Sequence, residues 1–499
     1  MSDLPTPAKD FDPAALMSIL SGFAGRKVLC VGDVMIDRSI YGEVKRISPE
    51  APVPVLRITR ETSALGGAGN VVRNLAALGA ALTFVSVVGD DRAGREVGQL
   101  LGALNAVEPY LRVSRIRETT IKNRFFSIDG HNLLRADRES VTALSAADAD
   151  DLTRAALAQV AGVDAVIVSD YAKGLLAGGL AAAVIAAARA ANKPVIVDPK
   201  GSDYSRYAGA SVITPNRAEL ADAVGAEAKT DAELIAAAQT LRQRTSAGVI
   251  VVTRSGEGMT VVGDTVAHLP AETREVSDVT GAGDTVAAVL TLALACGADM
   301  VDAARLANIA AGIVVGRHGT AVATVADIAA ALVHSGLAGL EQKIVDRDSA
   351  AARSQAWQHQ GLKVGFTNGC FDLLHPGHVA LLRAARGQCD RLIVGLNGDA
   401  SVRRLKGETR PVQAAAARAT VLASMEPVDL VVEFGEDTPQ ALIEAVRPNV
   451  LVKGADYARA NVVGGDFVES YGGRVVLADL VASYSTTATI AALKAGRKE

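Results

Sequence analysis

Short runs of valine and isoleucine alternate along the chain with alanine-rich stretches of helical character. KVLCVGDV (27–34), DAVIVSDY (164–171), KPVIVDPK (193–200), ASVITPN (210–216) and GVIVVTRSG (248–256) are apolar almost throughout. They lack the in–out alternation of a half-exposed strand, so they predict strands covered on both faces. Helices are expected between them, at 145–161, 178–192 and 231–245. That rhythm predicts an α/β domain built on a parallel sheet.

Two stretches interrupt it. GEVKRISPEAPVPVLRI (42–58) is proline-rich and extended, and RETTIKNRFFS (117–127) mixes polar and apolar positions. They predict either a small accessory sheet acting as a lid or long surface loops. The apolar period fades after residue 335, and AARSQAWQHQGLK (351–363) is polar and ends in glycine. A second strand–helix series then starts with LKVGFTNG and runs through DRLIVGLNGD, VDLVVEF, PNVLVKGADY and GRVVLADL, with a last helix from about 486. The expected organisation is a first domain over 1–340, a linker over 341–361 and a second domain over 362–499. No repeat with a period of 20–50 residues is present.

Composition narrows the function. A chain of 499 residues exceeds what one core usually serves. Its 49% hydrophobic and 21% charged residues suit a soluble globular enzyme. The net charge of −4 divides into −5 for residues 1–361 (35 Lys/Arg, 40 Asp/Glu) and +1 for 362–499 (16 against 15). Neither part has the basic excess that nucleic acid requires as a partner. Cys30, Cys296, Cys370 and Cys389 form no C-x-x-C pair, which leaves zinc and dithiol chemistry without support and predicts reduced thiols in a cytoplasmic protein. MSDLPTPAKDF lacks the apolar core of a signal peptide. The most apolar stretch, 175–191, is too short and too rich in alanine to span a membrane.

Chemistry concentrates first in DVTGAGDTVAAVLTLAL (278–294). Gly281, Ala282 and Gly283 can present backbone N–H groups to an anion at a helix start, with Asp284 placed to take a proton from an attacking hydroxyl. A glycine-rich turn with Asp284 as N-cap fits the same four residues. In TPNRAEL (214–220), Asn216 and Glu219 can hold hydrated Mg²⁺ beside a triphosphate, or Asn216 simply caps a helix. GGAGN (66–70) offers small residues and Asn70 to a polyol. Asp33 ends the first strand, as a ligand or as a turn residue.

In their order, VGDVMID, GGAGN, DPK, TPNRAEL, TRSGEG and DVTGAGD resemble the ribokinase-like (PfkB) sugar kinases over nearly all of 25–335. The resemblance implies a three-layer α/β/α domain with a small β-lid that often mediates dimerisation. It implies Asp284 as catalytic base and a sugar held by Asp33, Gly66, Gly67, Asn70 and Lys200. ATP would lie along Asn216, Arg217, Ala218, Glu219, Ser255, Gly256 and Gly281–Gly283, with Mg²⁺ near Asn216 and Glu219.

The second concentration is GFTNGCFDLLHPGHVALL (365–382). His375 and His378 flank Pro-Gly at a helix start, and no familiar zinc spacing surrounds them. Two imidazoles and helix N–H groups converging on one anion point to phosphate. T-N-G-x-F-D…H-x-G-H resembles the cytidylyltransferase-like nucleotidyltransferases, a Rossmann-like α/β fold. There the histidines stabilise charge in α-phosphoryl transfer, which implies nucleotide contacts at Thr367, Asn368, Gly369, Phe371 and Asp372. YSTTATI (484–490) matches the family's second motif at Ser485, Thr486 and Thr487, without its usual arginine. Lys406 and Lys453 are further phosphate candidates, or solvated surface lysines.

A kinase followed by a nucleotidyltransferase, with RISPEAPVPV (46–55), LKGETRPV (405–412) and LVKGADY (451–457), resembles the family of fused heptose-phosphate kinases and adenylyltransferases along essentially the whole chain. That implies ATP and heptose phosphates as ligands, ADP-heptose as product for lipopolysaccharide core synthesis, and a homodimer through the lid. The residues alone establish two phosphate-transfer sites. They leave open another sugar kinase fused to a cytidylyltransferase. A catalytically dead sensor is disfavoured by the presence of Asp284, His375 and His378.

Overall fold

The computed structural model describes residues 12–272, 278–317, 319–455 and 458–478. It divides into two compact units, Met1–Val333 and His334–Glu499.

The first unit is built on a nine-stranded sheet. Its parallel body runs from Val249–Thr253 through Val212–Ile213, Val195–Asp198, Ala165–Ser169, Lys27–Gly32 and Ala81–Gly89 to Val107–Ser114. Met259–Val262 and Val266–Leu269 extend one edge antiparallel. The central strands are apolar at successive positions because both faces are covered. Val28 and Cys30 join a cluster with Val72, Leu290 and Leu306, while Leu29 and Val31 join Leu152, Val184 and Leu241 on the other face. Each such buried aliphatic side chain contributes roughly 1.5–3 kcal/mol. Polar groups are therefore displaced to the strand ends, where Asp33, Asp170 and Lys200 follow three neighbouring strands and Ser255 follows Val249–Thr253, beyond the intervening Val212–Ile213.

Both irregular stretches belong to a separate four-stranded sheet ordered Pro54–Gly67, Val34–Ile47, Thr120–Ser127, Asn132–Arg138. Val34–Ile47 pairs antiparallel with Pro54–Gly67 and parallel with Thr120–Ser127. Of the two readings of these stretches, the sheet is the one the chain adopts. Val44, Ile47 and Ile58 are exposed on it, and Val53 is exposed in the connection between its first two strands.

The second unit has six parallel strands ordered Ile344–Val345, Leu430–Phe434, Arg391–Asn397, Val364–Gly369, Val450–Gly454, Arg474–Ala478. Much of the segment expected as linker, 341–361, is built into this unit. Ile344–Val345 forms its edge strand, and Asp346 caps the helix Arg347–His359. That helix buries Ala350 and Ser354; Ser354 Oγ donates to the carbonyl of Val446 at 2.7 Å and Gln358 to that of Arg447 at 2.8 Å. The buried positions are small residues, which is why the segment shows almost no apolar period. Among the described residues, no helix is long and apolar enough to cross a membrane.

A fragment beginning at residue 343 is therefore expected to unfold in urea at a higher midpoint than one beginning at 361. Losing the edge strand and helix should cost about 2–5 kcal/mol. Equal midpoints would show that the segment adds nothing to the second unit.

Candidate functional site

The helix Ala282–Ala295 starts at Gly281, whose φ of 84° suits glycine and where a Cβ would stand 2.7 Å from Asn70 Nδ2. Asp284 is buried in the first turn. Asn70 Nδ2 donates to its Oδ2 at 2.6 Å, and the Tyr171 hydroxyl donates to its Oδ1 at 2.5 Å. Burial raises the Asp284 pKa to about 6; the two hydrogen bonds oppose the rise, Asp37 adds to it and Lys122 offsets it. A carboxylate tuned toward neutrality at a helix start suits proton abstraction.

Gly281, Gly283 and Asp284 line a cavity of about 150 Å³ together with Asn216, Glu219 and Lys200. Asn216 caps the helix Arg217–Val224 in a reciprocal box: its Oδ1 accepts from the Glu219 N–H, and Glu219 Oε2 accepts from its own N–H, both at 2.9 Å. The box fixes Glu219 at the cavity wall, where Lys200 Nζ meets Oε1 at 2.7 Å. Lys200 thus stands with the N-x-x-E pair. Arg217 reaches Glu257 at 2.8 Å, joining this helix to the turn that carries Ser255 and Gly256. Ser255, Gly256 and Ala218 are exposed beside it.

The cavity is rich in carboxylates. Burial, then Asp284 and Glu219, drive the Asp198 pKa well above the usual range, with Lys200 opposing. Among the described residues no cluster of three or more His, Cys, Asp or Glu is arranged to hold a metal unaided. Carboxylates spaced around a cavity suit Mg²⁺, which keeps waters and takes its remaining ligands from phosphates.

Asp33 accepts the backbone N–H groups of Tyr171, Lys173 and Leu175 at 3.1, 3.0 and 3.1 Å, so its carboxylate is committed to that loop. Four residues on, Asp37 lines a larger cavity of about 850 Å³ with Arg60, Thr62 and Arg124. It pairs with Arg124 at 3.0 Å, and a Cβ on Gly66 would sit 2.6 Å from its Oδ2. Gly67 precedes the helix Ala68–Ala77 with φ 60°. Asp37, Asp198 and Tyr171 escaped the sequence reading, although each lies within or beside a quoted motif. Which aspartate faces a cavity depends on the bend between Lys27–Gly32 and Val34–Ile47, which no local pattern reveals.

In the second unit, Thr367, Asn368 and Gly369 end the strand Val364–Gly369, and His375 caps the helix Pro376–Arg386. The rings of His375 and His378 stack with centroids 3.8 Å apart, and Phe371, at φ 42°, places its ring 5.1 Å from His378. Burial lowers both histidine pKa values; that of His378 falls to about 4, with His375 contributing. Both rings are therefore neutral at physiological pH. Thr367 Oγ1, Asn368 Oδ1 and the Nδ1 atoms of both histidines are buried and have no hydrogen-bond partner among the described residues, as in a site shaped for a polar ligand. Lys453 is buried at the same place, with Nζ 3.3 Å from the carbonyl of Asn368, whereas Lys406 is exposed at the end of Asp399–Lys406.

Asp372 is enclosed by protein donors. It accepts from the N–H groups of Val412 and Gln413 at 2.6 and 3.2 Å and pairs with Arg410. Arg418, fully buried, donates to the carbonyls of Cys370, Asn397 and Gln413 and to Asp399. Arg410 thus ties LKGETRPV to the histidine turn, and Arg418 ties the residue that follows it, Gln413, to Cys370 in the same turn. Ser485, Thr486 and Thr487 lie outside the described residues.

Residues 26–326 match the pfkB family carbohydrate kinase model and 366–485 the cytidylyltransferase-like model. Phosphofructokinase-2 from Escherichia coli has a similar fold, with TM-score 0.53 and 21% identity over 62% of this chain and 99% of that one. Bifunctional protein HldE of Rhodospirillum rubrum is 54% identical over 98% of this chain and 99% of its own length. HldE of Paramagnetospirillum magneticum is 56% identical over 96% and 98%. The chain therefore belongs to the family of bifunctional HldE proteins, with a pfkB-type carbohydrate kinase and a cytidylyltransferase-like domain in one polypeptide.

Proposed function

We propose that the chain phosphorylates D-glycero-β-D-manno-heptose 7-phosphate at O1 with ATP, and in its second unit transfers an adenylyl group from ATP to heptose 1-phosphate, releasing diphosphate. The product, ADP-heptose, would enter lipopolysaccharide core synthesis. The observation that carries the kinase half is the convergence of Asp284, the G-A-G turn and the Asn216–Glu219 box on one cavity. Asp284 accepts the O1 proton as the oxygen bonds to the γ-phosphorus and the bond to ADP breaks. Asp33 and Asn70 act on the sugar side through the groups they hold, Asp37 and Gly66 line the larger cavity, and Lys200 lies toward the phosphates. Mg²⁺ near Glu219 and Asn216 would neutralise charge on the transferred phosphoryl group.

In the second unit, the neutral rings of His375 and His378 offer N–H groups to the α-phosphate. Growing negative charge there raises their proton affinity, so they stabilise the transition state more than the ground state. Lys453 and Asn368 support the triphosphate, and Asp372 holds the loop beside it. The exposed Val44, Ile47, Val53 and Ile58 favour a homodimer through the lid sheet; the location proposed for it is the cytoplasm. Mass spectrometry of products from ATP and heptose 7-phosphate, with and without a phosphatase acting on the 7-phosphate, tests both steps. ADP-heptose only when the phosphatase is present is the expected result; CDP-sugar formed in preference from CTP would replace the reading.

Asp284→Asn should lower kinase turnover by ~10²–10⁴-fold and leave adenylyl transfer intact. Kinase activity within a few-fold of wild type would remove Asp284 from the role of base.

His375→Ala or His378→Ala should reduce kcat of adenylyl transfer by about 10²-fold or more while kinase activity persists. Elemental analysis accompanies both variants. Stoichiometric zinc in the wild type that is lost from His375→Ala would convert the pair into a metal site.

A further inference from the structure

The Asp33 carboxylate, buried at the end of the first strand, is occupied by three backbone N–H groups of the loop after Ala165–Ser169. The second residue of that loop is Tyr171, whose hydroxyl reaches Asp284 Oδ1. The opposite oxygen is held by Asn70, itself oriented by Arg73, which donates to Asn70 Oδ1 at 3.1 Å and to the carbonyl of Thr320 at 3.0 Å. Each Asp284 oxygen thus has one lone pair committed to protein and one left for the incoming hydroxyl.

We infer that Tyr171 is a positioning residue for the kinase base: anchored through Asp33, its hydroxyl clamps one oxygen of Asp284 and keeps the carboxylate ionised and aimed into the cavity. The inference rests on Asp284 being the base. The other titratable groups that Asp284 interacts with are Cys30 on the first strand, whose buried thiol its charge helps keep neutral, Asp37 and Lys122 on the lid sheet, Arg73 on the helix Ala68–Ala77 and Asp198 on its strand. None of them is hydrogen-bonded to its carboxylate; Tyr171 and Asn70 are. Burial and the carboxylates around it push the Tyr171 hydroxyl far above its ordinary ionisation range, so it remains a donor across the working pH. Lys122 Nζ lies 5.5 Å from the centre of its ring.

The base acts deprotonated, so kinase kcat/KM should rise with pH through a limb set by Asp284. The Tyr171 hydrogen bond favours the ionised form; its removal raises the pKa and moves the limb to higher pH. In the full-length protein, Tyr171→Phe should shift the limb upward by on the order of one pH unit. The resulting loss would be roughly fivefold at pH 6 and less than about twofold at pH 8.5. Asp33→Asn keeps the shape but loosens the anchor, and should move the limb the same way by less. Near-wild-type kinase activity at pH 8.5 on the same samples reports that the first unit is folded; should Tyr171→Phe fail to fold, Asp33→Asn decides. A uniform loss at every pH, or an unmoved limb, overturns the inference. An active Asp284→Asn would instead defeat the assignment of the base, whereas an inactive Asp284→Asn beside an unmoved Tyr171→Phe limb defeats the Tyr171 inference alone.

Discussion

Covering a parallel sheet on both faces leaves polar side chains almost nowhere to go but its ends. Ala165–Ser169 is buried at every position, and the first strand feeds alternate residues into two separate hydrophobic clusters. Carboxylates in such strands would be desolvated without partners, at a cost of several kcal/mol each. Asp33, Asp170 and Lys200 accordingly appear just beyond the strands, and Asp284 enters from a helix start facing them. The same constraint in the second unit brings Thr367, Asn368 and Lys453 to the ends of two adjacent strands, opposite the histidine turn.

The two sites solve opposite electrostatic problems. In the kinase unit Asp170, Asp198, Glu219 and Asp284 surround a small cavity with Lys200 among them, and burial, then the charges of Asp284 and Glu219, raises the proton affinity of Asp198. Such a site gains from a cation and is poised to accept a proton. In the nucleotidyltransferase unit two stacked imidazoles are neutral and partly desolvated. It gains from an anion, whose charge draws protons onto the rings.

Several motif residues serve as scaffold before they serve chemistry. Asn216 and Glu219 close a capping box, Asp33 gathers a loop, and Asp372 gathers another with the help of Arg410. Arg418 is an extreme case: a fully buried guanidinium whose charge is met by Asp399 and three carbonyls. Leaving such a charge without its partner costs on the order of 3–5 kcal/mol, so these contacts hold the turns around the candidate sites in one geometry. A short motif can thus look catalytic in one dimension while much of its hydrogen-bonding capacity is spent on the backbone.

The fold class, the restart of the strand–helix series and the two turns that open Ala282–Ala295 and Pro376–Arg386 were legible in the chain because they depend on local period, glycine placement and helix starts. The placement of Asp284, His375 and His378 at helix starts was legible for the same reason, each being fixed within a few residues of its own turn. Tertiary structure alone decided which side chains meet. Asn70 reaches Asp284 across 214 positions and Tyr171 across 113, and Lys200 turns to Glu219. Asp37 reaches a cavity where Asp33 does not, because the backbone bends between two strands. The segment 344–359 joins the second unit through small buried residues too weakly apolar to announce themselves. Local sequence sets conformation over a turn or two, whereas contacts between distant strand ends exist only after the sheet has ordered them.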